Sequence, residues 1–155
     1  MEIEPVLTAL IRLLKNAELE SLRVHKLCLQ IEFSQIGKQD LPVTIWLTTN
    51  NSIFVAENIE SINRDVDYYD QRVVVIKDLY YLIGEKISSV SLSENGELSI
   101  LIGDKILFLF REKDEFEEVW KIMDNSTSEF VNHDWYITLL DYNEFDLKYP
   151  EPRKN

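Results

Sequence analysis

The stretch ELSILIGDKILFLF, residues 97–110, decides the fold class. Gly103-Asp104 favours a two-residue hairpin turn, and Asn95-Gly96 just before the stretch favours a second turn. The two turns divide this region into three predicted strands, near residues 86–93, 98–102 and 105–110. We therefore expect an antiparallel meander over residues 86–110.

The Gly103-Asp104 turn also predicts the register of the last two strands. It places three pairs opposite each other: Ile102 and Lys105, Ile100 and Leu107, Leu98 and Leu109. The other face of the sheet is predicted to carry the remaining apolar side chains, which are Val90, Leu92, Leu101, Ile106, Phe108 and Phe110. The last strand is then apolar on both faces, which is typical of a central strand that is covered on two sides.

Hydrophobic periodicity predicts further elements before the meander. Helical spacing is found in the N-terminal residues Ile3, Val6, Leu7, Leu10, Leu13 and Leu14. Strands are predicted near residues 22–33, 43–47 and 53–55. Residues 56–72 have little periodicity and are predicted to be a long surface loop, with a helical turn inside it as the alternative. An apolar run at 73–76 and a short helix at 79–83 complete this part.

A helix is predicted directly after the meander, near residues 114–124. Asp114 and Glu117 have the spacing of a capping box. Apolar residues then recur at i, i+3, i+4 and i+7, namely Phe116, Val119, Trp120 and Met123. Strands are expected at residues 135–140 and 145–149. The whole pattern predicts one α+β domain over residues 1–150, with an antiparallel sheet and a frayed tail at 151–155.

Two segments of the chain are similar to each other. Residues 26–33 and 42–47 resemble residues 97–102 and 105–110, because both sets are paired apolar strands with polar ends. An internal duplication explains this similarity, and so does chance resemblance between strands.

Composition favours a globular cytoplasmic protein. The 155 residues are 45% hydrophobic and include four Gly and four Pro. The N-terminus lacks the basic region of a signal peptide, and no apolar run is long enough to span a membrane. The single cysteine, Cys28, excludes an intramolecular disulfide.

The charge of the chain is strongly negative and unevenly distributed. Its net charge is −12 and its pI is about 4.6, which argues against direct binding to nucleic acid or to an anionic membrane. Residues 1–50 hold six acids and five bases, residues 51–111 ten and six, and residues 112–155 twelve and five. This acidity favours solubility in general. A more specific interpretation is a docking face for a basic partner.

Catalytic, cofactor and metal sites are not indicated by the residues. The two histidines, His25 and His133, stand far apart, and His25 and Cys28 would point to opposite faces of a strand. Asp65, Asp67 and Asp70 could supply oxygen ligands, but the segment lacks the central Gly and final Glu of an EF-hand loop. We therefore expect no enzyme activity, no cofactor and no bound metal.

Two groups that combine acidic and aromatic residues are candidate partner-binding sites. Tyrosine beside acid suits the binding of a basic protein, because tyrosine offers a large and stiff contact area. The first group lies in the predicted loop and contains Glu57, Glu60, Asp65, Asp67, Tyr68, Tyr69 and Asp70. The second group contains Asp134, Tyr136, Asp141, Tyr142 and Glu144. Trp135, next to the second group, is expected to be buried in a strand.

The second half of the chain resembles immunity proteins of polymorphic toxin systems from Gram-positive bacteria. The resemblance is carried by IGEKISSV (residues 83–90), NGEL (95–98), DKIL (104–107) and FEEVWKI (116–122). It implies a small acidic protein that binds and blocks a cognate toxin, in many cases a nuclease with a basic active-site surface. No individual functional residue is carried over. The alternative is an oligomeric structural or regulatory module, such as a homodimer, with a pocket for a small ligand.

Overall fold

The computed structural model describes residues 2–26, 28–38, 40–49, 53–66, 68–111, 118–124, 134–140 and 144–150. In these residues it contains two α-helices, ten strands and a short 3₁₀ helix at Ile59–Ser61. The first half contains α1 (Ile3–Leu14), β1 (Glu18–Val24), β2 (Leu29–Ser34), β3 (Thr44–Thr49) and β4 (Ile53–Ala56). The remainder contains α2 (Tyr68–Tyr81), β5 (Ile87–Leu92), β6 (Leu98–Ile102), β7 (Lys105–Leu109), β8 (Glu118–Asp124), β9 (Tyr136–Leu140) and β10 (Phe145–Lys148).

The strands form two antiparallel sheets. The six-stranded sheet has the order β1-β2-β3-β8-β9-β10, and the four-stranded sheet has the order β4-β7-β6-β5. Both sheets and both helices contribute side chains to one buried hydrophobic cluster, to which Leu10 of α1 and Leu79 of α2 belong. The predicted α+β class, the N-terminal helix, the meander and both C-terminal strands are confirmed.

The predicted register of the meander is also confirmed, except for one strand. The three expected pairs between β6 and β7 are all present, and β7 is an inner strand. The face predicted for Val90 and Leu92 is wrong, because they pair with Ile100 and Leu98 and so lie on the core side. The turn between β5 and β6 explains the error. It spans Ser93 to Glu97, and is longer than the two residues that Asn95-Gly96 suggested.

The helix predicted near 114–124 is wrong for residues 118–124, which form β8 between β3 and β9. A β-bulge between Glu118 and Trp120 explains the misleading pattern, since Val119 and Trp120 are both buried although they are neighbours. Adjacent buried residues imitate helical spacing and break the period of two that indicates a strand. Residues 112–117 lie outside the described part of the chain.

Two further boundaries differ from the prediction. The strand expected near 22–33 is a hairpin, since β1 ends at Val24 and β2 begins at Leu29. The loop expected at 56–72 ends earlier, because α2 begins at Tyr68 and includes the apolar run at 73–76. The short helix expected at 79–83 is the C-terminal end of α2.

The same order of elements occurs twice. In each half a helix is followed by a three-stranded meander, which is α1 with β1 to β3 and then α2 with β5 to β7. Each fourth strand then joins the sheet of the other half, where β4 pairs with β7 and β8 pairs with β3. The strands β9 and β10 extend the six-stranded sheet beyond this repeat.

Details of strand pairing are repeated as well. The register shifts between Leu19 and Ser21 in β1, and between Ile87 and Ser89 in β5, so the two bulges lie 68 positions apart (19 to 87). Each helix is followed by a residue with positive φ, Asn16 two residues after α1 and Gly84 three residues after α2, and these residues are also 68 positions apart (16 to 84). The two meanders are therefore built alike, down to an irregularity in one strand.

The two halves meet at a pseudo-two-fold axis. Glu18 of β1 and Lys86 form an isolated antiparallel bridge. Around it lie four backbone hydrogen bonds in two equivalent pairs: Asn16 N to Ile87 O with Gly84 N to Leu19 O, and Ile87 N to Ala17 O with Leu19 N to Glu85 O. The internal similarity in the sequence thus falls on equivalent strands, β2 with β6 and β3 with β7. In the structure Leu29 of β2 is equivalent to Leu98 of β6. The sequence similarity instead aligns Leu27 with Leu98, a difference of two residues.

Candidate protein-binding surface

The first predicted group of acidic and aromatic residues is divided between two elements. Glu57, Glu60 and Asp65 are exposed in the segment that follows β4, and the 3₁₀ helix includes Glu60. Asp70 is exposed in the first turn of α2. Tyr68 and Tyr69 belong to the same helical turn and not to a loop, so that part of the prediction is wrong. Asp67 lies outside the described residues.

The second predicted group is on the six-stranded sheet. Asp134 and Glu144 are exposed next to β9 and β10, and Tyr136 is half-buried in β9. Trp135 is 1% exposed, stacks on Tyr149 and is therefore buried as expected. Asp141 and Tyr142 lie outside the described residues. The described members of the first group thus lie after β4 and in α2, and those of the second group lie beside or in β9 and beside β10 of the six-stranded sheet.

Carboxylates gather at one end of the four-stranded sheet. The Lys105 ammonium at the start of β7 forms an ion pair with Glu57 after β4, with 3.2 Å between Nζ and Oε1. This hydrogen bond is the largest cause that raises the pKa of Lys105. Burial opposes it as the second-largest cause, and the charges of Glu57, Asp104 and Asp78 then add smaller increases. We call Glu57, Asp78 and Asp104 the acidic cluster. The negative charges of these three carboxylates all raise the pKa of Lys105.

Helix α2 presents apolar side chains to solvent. Val73 and Val74 are 71% and 47% exposed, and Tyr80 and Tyr81 are 65% and 71% exposed. These positions follow the spacing i, i+1, i+7 and i+8, which places them on one side of a helix. The two tyrosine rings lie edge to face, with 5.6 Å between their centroids. We call these four residues the α2 face. Lys77 is exposed between its two ends.

The opposite side of α2 anchors the helix to the rest of the molecule. Val75 and Leu79 are buried in the core. The Arg72 guanidinium donates hydrogen bonds to backbone oxygens at the tip of the β1–β2 hairpin, namely those of His25, Lys26 and Cys28. Because these contacts hold the helix in place, the direction in which the α2 face points is fixed by the fold.

The outer side of β7 in the four-stranded sheet is covered by the chain itself, whereas Leu101 of β6 on the same side is 36% exposed. Arg64 lies over the rings of Phe108 and Phe110, with its guanidinium carbon 5.1 Å and 5.6 Å from their centroids. The same guanidinium forms an ion pair with Glu97 at 3.1 Å, and Phe54 stacks on Phe110. As expected, β7 is covered on both sides. Phe108 and Phe110 therefore offer little surface to a second molecule.

The described residues contain no group suited to a metal ion, and the His25 side chain is paired with Gln30. The His25 ring is hydrogen-bonded to the Gln30 side chain at 3.0 Å, and its backbone N–H donates to Cys28 O. Groups of three or more His, Cys, Asp or Glu suited to a metal ion are absent from the described ranges. His133 and Asp67 lie outside those ranges. Within them, no helix is long and apolar enough to cross a membrane.

Tyr80 and Tyr81 were missed as candidates because their segment was predicted only as a short helix at residues 79–83. Leu79 and Leu82, which are buried, stand beside them, so the run looked uniformly apolar. The useful signal is the weak contrast between the faces of α2. A helix whose solvent side is as apolar as its core side has an excess of apolar residues that its own core does not explain.

Comparisons with protein-family models, curated proteins and solved structures find no significant match to this chain. The resemblance to immunity proteins stays a prediction.

Proposed function

We propose that this protein is a non-enzymatic inhibitor that binds a basic protein, and specifically an immunity protein that neutralises a nuclease-type toxin. The observation that carries the proposal is the acidic cluster, in which Glu57, Asp78 and Asp104 outnumber Lys105 on the surface. The net charge of −12 gives the rest of the molecule the same sign. A basic partner would be attracted from a distance and held by complementary charge.

A nuclease suits this partner role for a physical reason. Its active-site surface must be positive in order to bind the phosphate backbone. An acidic protein can occupy that surface in place of nucleic acid, and such an inhibitor needs no catalytic residues of its own. Association should then be fast and should weaken as the salt concentration rises.

The alternative of an oligomeric structural module has lost the feature that favoured it. That feature was the apolar outer side of β7, which could have packed against a second subunit. In the structure Arg64 covers Phe108 and Phe110 on this side. We therefore do not propose it as a second function.

The proposal predicts that a basic nuclease is encoded beside this chain in its genome, and the test uses that protein. Purified chain should abolish the nuclease activity of that protein at a molar ratio near one, and co-expression should rescue the growth of cells that produce it. A Glu57→Lys/Asp104→Lys variant should inhibit at least about tenfold less well, because two attractive charges become repulsive. A nuclease that remains fully active in excess chain would refute the proposal.

A further inference from the structure

We infer that the α2 face, formed by Val73, Val74, Tyr80 and Tyr81, is the surface on which the basic protein partner docks. This inference rests on the proposed function and specifies its site. The residues come from the part of the chain that sequence analysis assigned to an apolar run and a short helix. They are distinct from the predicted groups of acidic and aromatic residues.

The internal two-fold supplies a control within the molecule. Helix α1 precedes the first meander as α2 precedes the second, although α1 contacts β5 and α2 contacts β4. Its solvent side carries the exposed polar residues Glu4, Thr8 and Lys15, and among these stands Ile11, which is 39% exposed. A helix at this place in the order of elements therefore does not need a solvent side that is mainly apolar. The four exposed apolar residues of α2 require another explanation.

Protein docking explains them by their chemistry. Apolar side chains on a surface are more stable when a partner removes them from water. Large patches of such side chains therefore mark interaction sites. Tyrosine is enriched among the residues that dominate binding energy, because its ring gives stiff contact area and its hydroxyl can find a polar partner. Tyr80 and Tyr81 are both mostly exposed and lie against each other, so a partner could contact both at once.

The charges around the α2 face favour a basic occupant over a second copy of this chain. Asp70 is exposed one turn before Val73, and Asp78 follows Val74 by one turn. Asp78 also belongs to the acidic cluster with Glu57 and Asp104. Lys77 contributes one opposite charge. Two copies meeting through this face would bring these carboxylates together, whereas basic side chains around an apolar centre would pair with them.

The test uses the intact chain and two synthetic probes. The first is an amphipathic helical peptide with leucine on one face and lysine on the other, and the second is polylysine of the same charge. NMR of the isotope-labelled chain maps each binding site, and titration measures each affinity. We expect the amphipathic peptide to shift the α2 face signals and to bind more tightly than polylysine.

Variants identify the side chains responsible. Tyr80→Ser/Tyr81→Ser should weaken binding of the amphipathic peptide by at least about tenfold, as loss of a central aromatic contact does. Tyr80→Phe/Tyr81→Phe should largely retain binding, and Ile11→Ser on α1 serves as the matched control without effect. Because both tyrosines are mostly exposed, circular dichroism should show the serine variant to be folded.

The other outcomes either overturn the docking site alone or count against both proposals. Equal binding of both probes, or chemical-shift changes confined to the sites around Asp134 and Glu144, would overturn the docking site and leave the acidic inhibitor standing. Dimerisation of the chain that is lost in the serine variant would assign the face to a second copy instead. Failure of both probes to bind at low salt would count against the docking site and the proposed function together.

Discussion

A single backbone position, Gly96, joins the meander to the six-stranded sheet. Its φ of +85° is in the region that favours glycine, and a Cβ there would lie 2.7 Å from Cδ2 of Leu139. Its carbonyl accepts a hydrogen bond of 2.9 Å from Trp120 Nε1. The side chains of Trp120 and Leu139 are both buried. The absence of a side chain thus lets the β5–β6 turn approach β8 and β9.

Gly96→Ala should therefore destabilise the protein more than Gly37→Ala does. Gly37 has a similar φ of +82° but nothing within 4 Å of its would-be Cβ, so its variant should lose only about 1 kcal/mol from backbone strain. Gly96→Ala adds an overpacking cost of about 1–3 kcal/mol. Urea unfolding measures both. Equal losses in the two variants would show that Leu139 moves aside without cost.

The pKa of Lys105 reports on the members of the acidic cluster, because each carboxylate can be neutralised separately. Because the hydrogen bond to Glu57 is the largest cause of its raised pKa, Glu57→Gln should lower that pKa more than Asp104→Asn does. NMR titration of the lysine Cε signal measures each value. A raised pKa in the folded state adds stability below the unfolded pKa, and this stability is lost as the pH rises through the folded pKa. If the pKa of Lys105 is unchanged in Glu57→Gln, Lys105 and Glu57 do not form an ion pair in solution.

At the scale of elements, α2 and the β1–β2 hairpin are held together by Arg72. Arg72→Gln should cost about 1–3 kcal/mol, because it removes donors to the backbone oxygens of His25, Lys26 and Cys28. Hydrogen exchange should quicken in the first turns of α2 and at the hairpin tip, but not in β6 and β7. Lys77→Gln, on the solvent side of the same helix, is the control. It should change neither the stability nor the hydrogen-exchange rates.

The sequence predicted elements well where local chemistry decides them. The Gly103-Asp104 turn leaves one register for β6 and β7, and that register was predicted correctly. In β8 the bulge beside Val119 and Trp120 produced helical spacing, and pairing with β3 and β9 determined the strand. Helix α2 was divided because its apolar solvent side removes the contrast that reveals an amphipathic helix.

The candidate surface was harder to predict than the fold, because a surface is assembled from distant segments. Glu57 was proposed from its own acidic neighbourhood, but its partner Lys105 stands in another strand. Asp78 and Asp104 join it through the packing of α2 and the β6–β7 turn. The sequence predicted a surface of acid beside tyrosine at Tyr68 and Tyr69, and that role stays a prediction. Among the α2 side chains that the structure describes, the exposed tyrosines are Tyr80 and Tyr81.

For the whole molecule, exchange of the fourth strands couples the two halves. Each sheet contains a strand from the other half, since β8 pairs with β3 and β4 pairs with β7. Neither sheet can therefore open completely while the other half stays intact. We expect one cooperative unfolding transition, with amides of β3 and β7 exchanging at the same free energy.

Equivalent substitutions in the exchanged strands test this coupling. Ile122 of β8 pairs with Leu47, and Val55 of β4 pairs with Leu107, so the two positions correspond under the two-fold. Ile122→Ala should cost about 2–5 kcal/mol, because Ile122 is fully buried, and Val55→Ala should cost less. In both variants hydrogen exchange should quicken equally in the two sheets, while Leu101→Ser on the exposed side of β6 should change little. In Ile122→Ala, faster exchange confined to the six-stranded sheet would show that the two halves unfold independently. The pairing of β8 with β3 and of β4 with β7 would then not couple their unfolding.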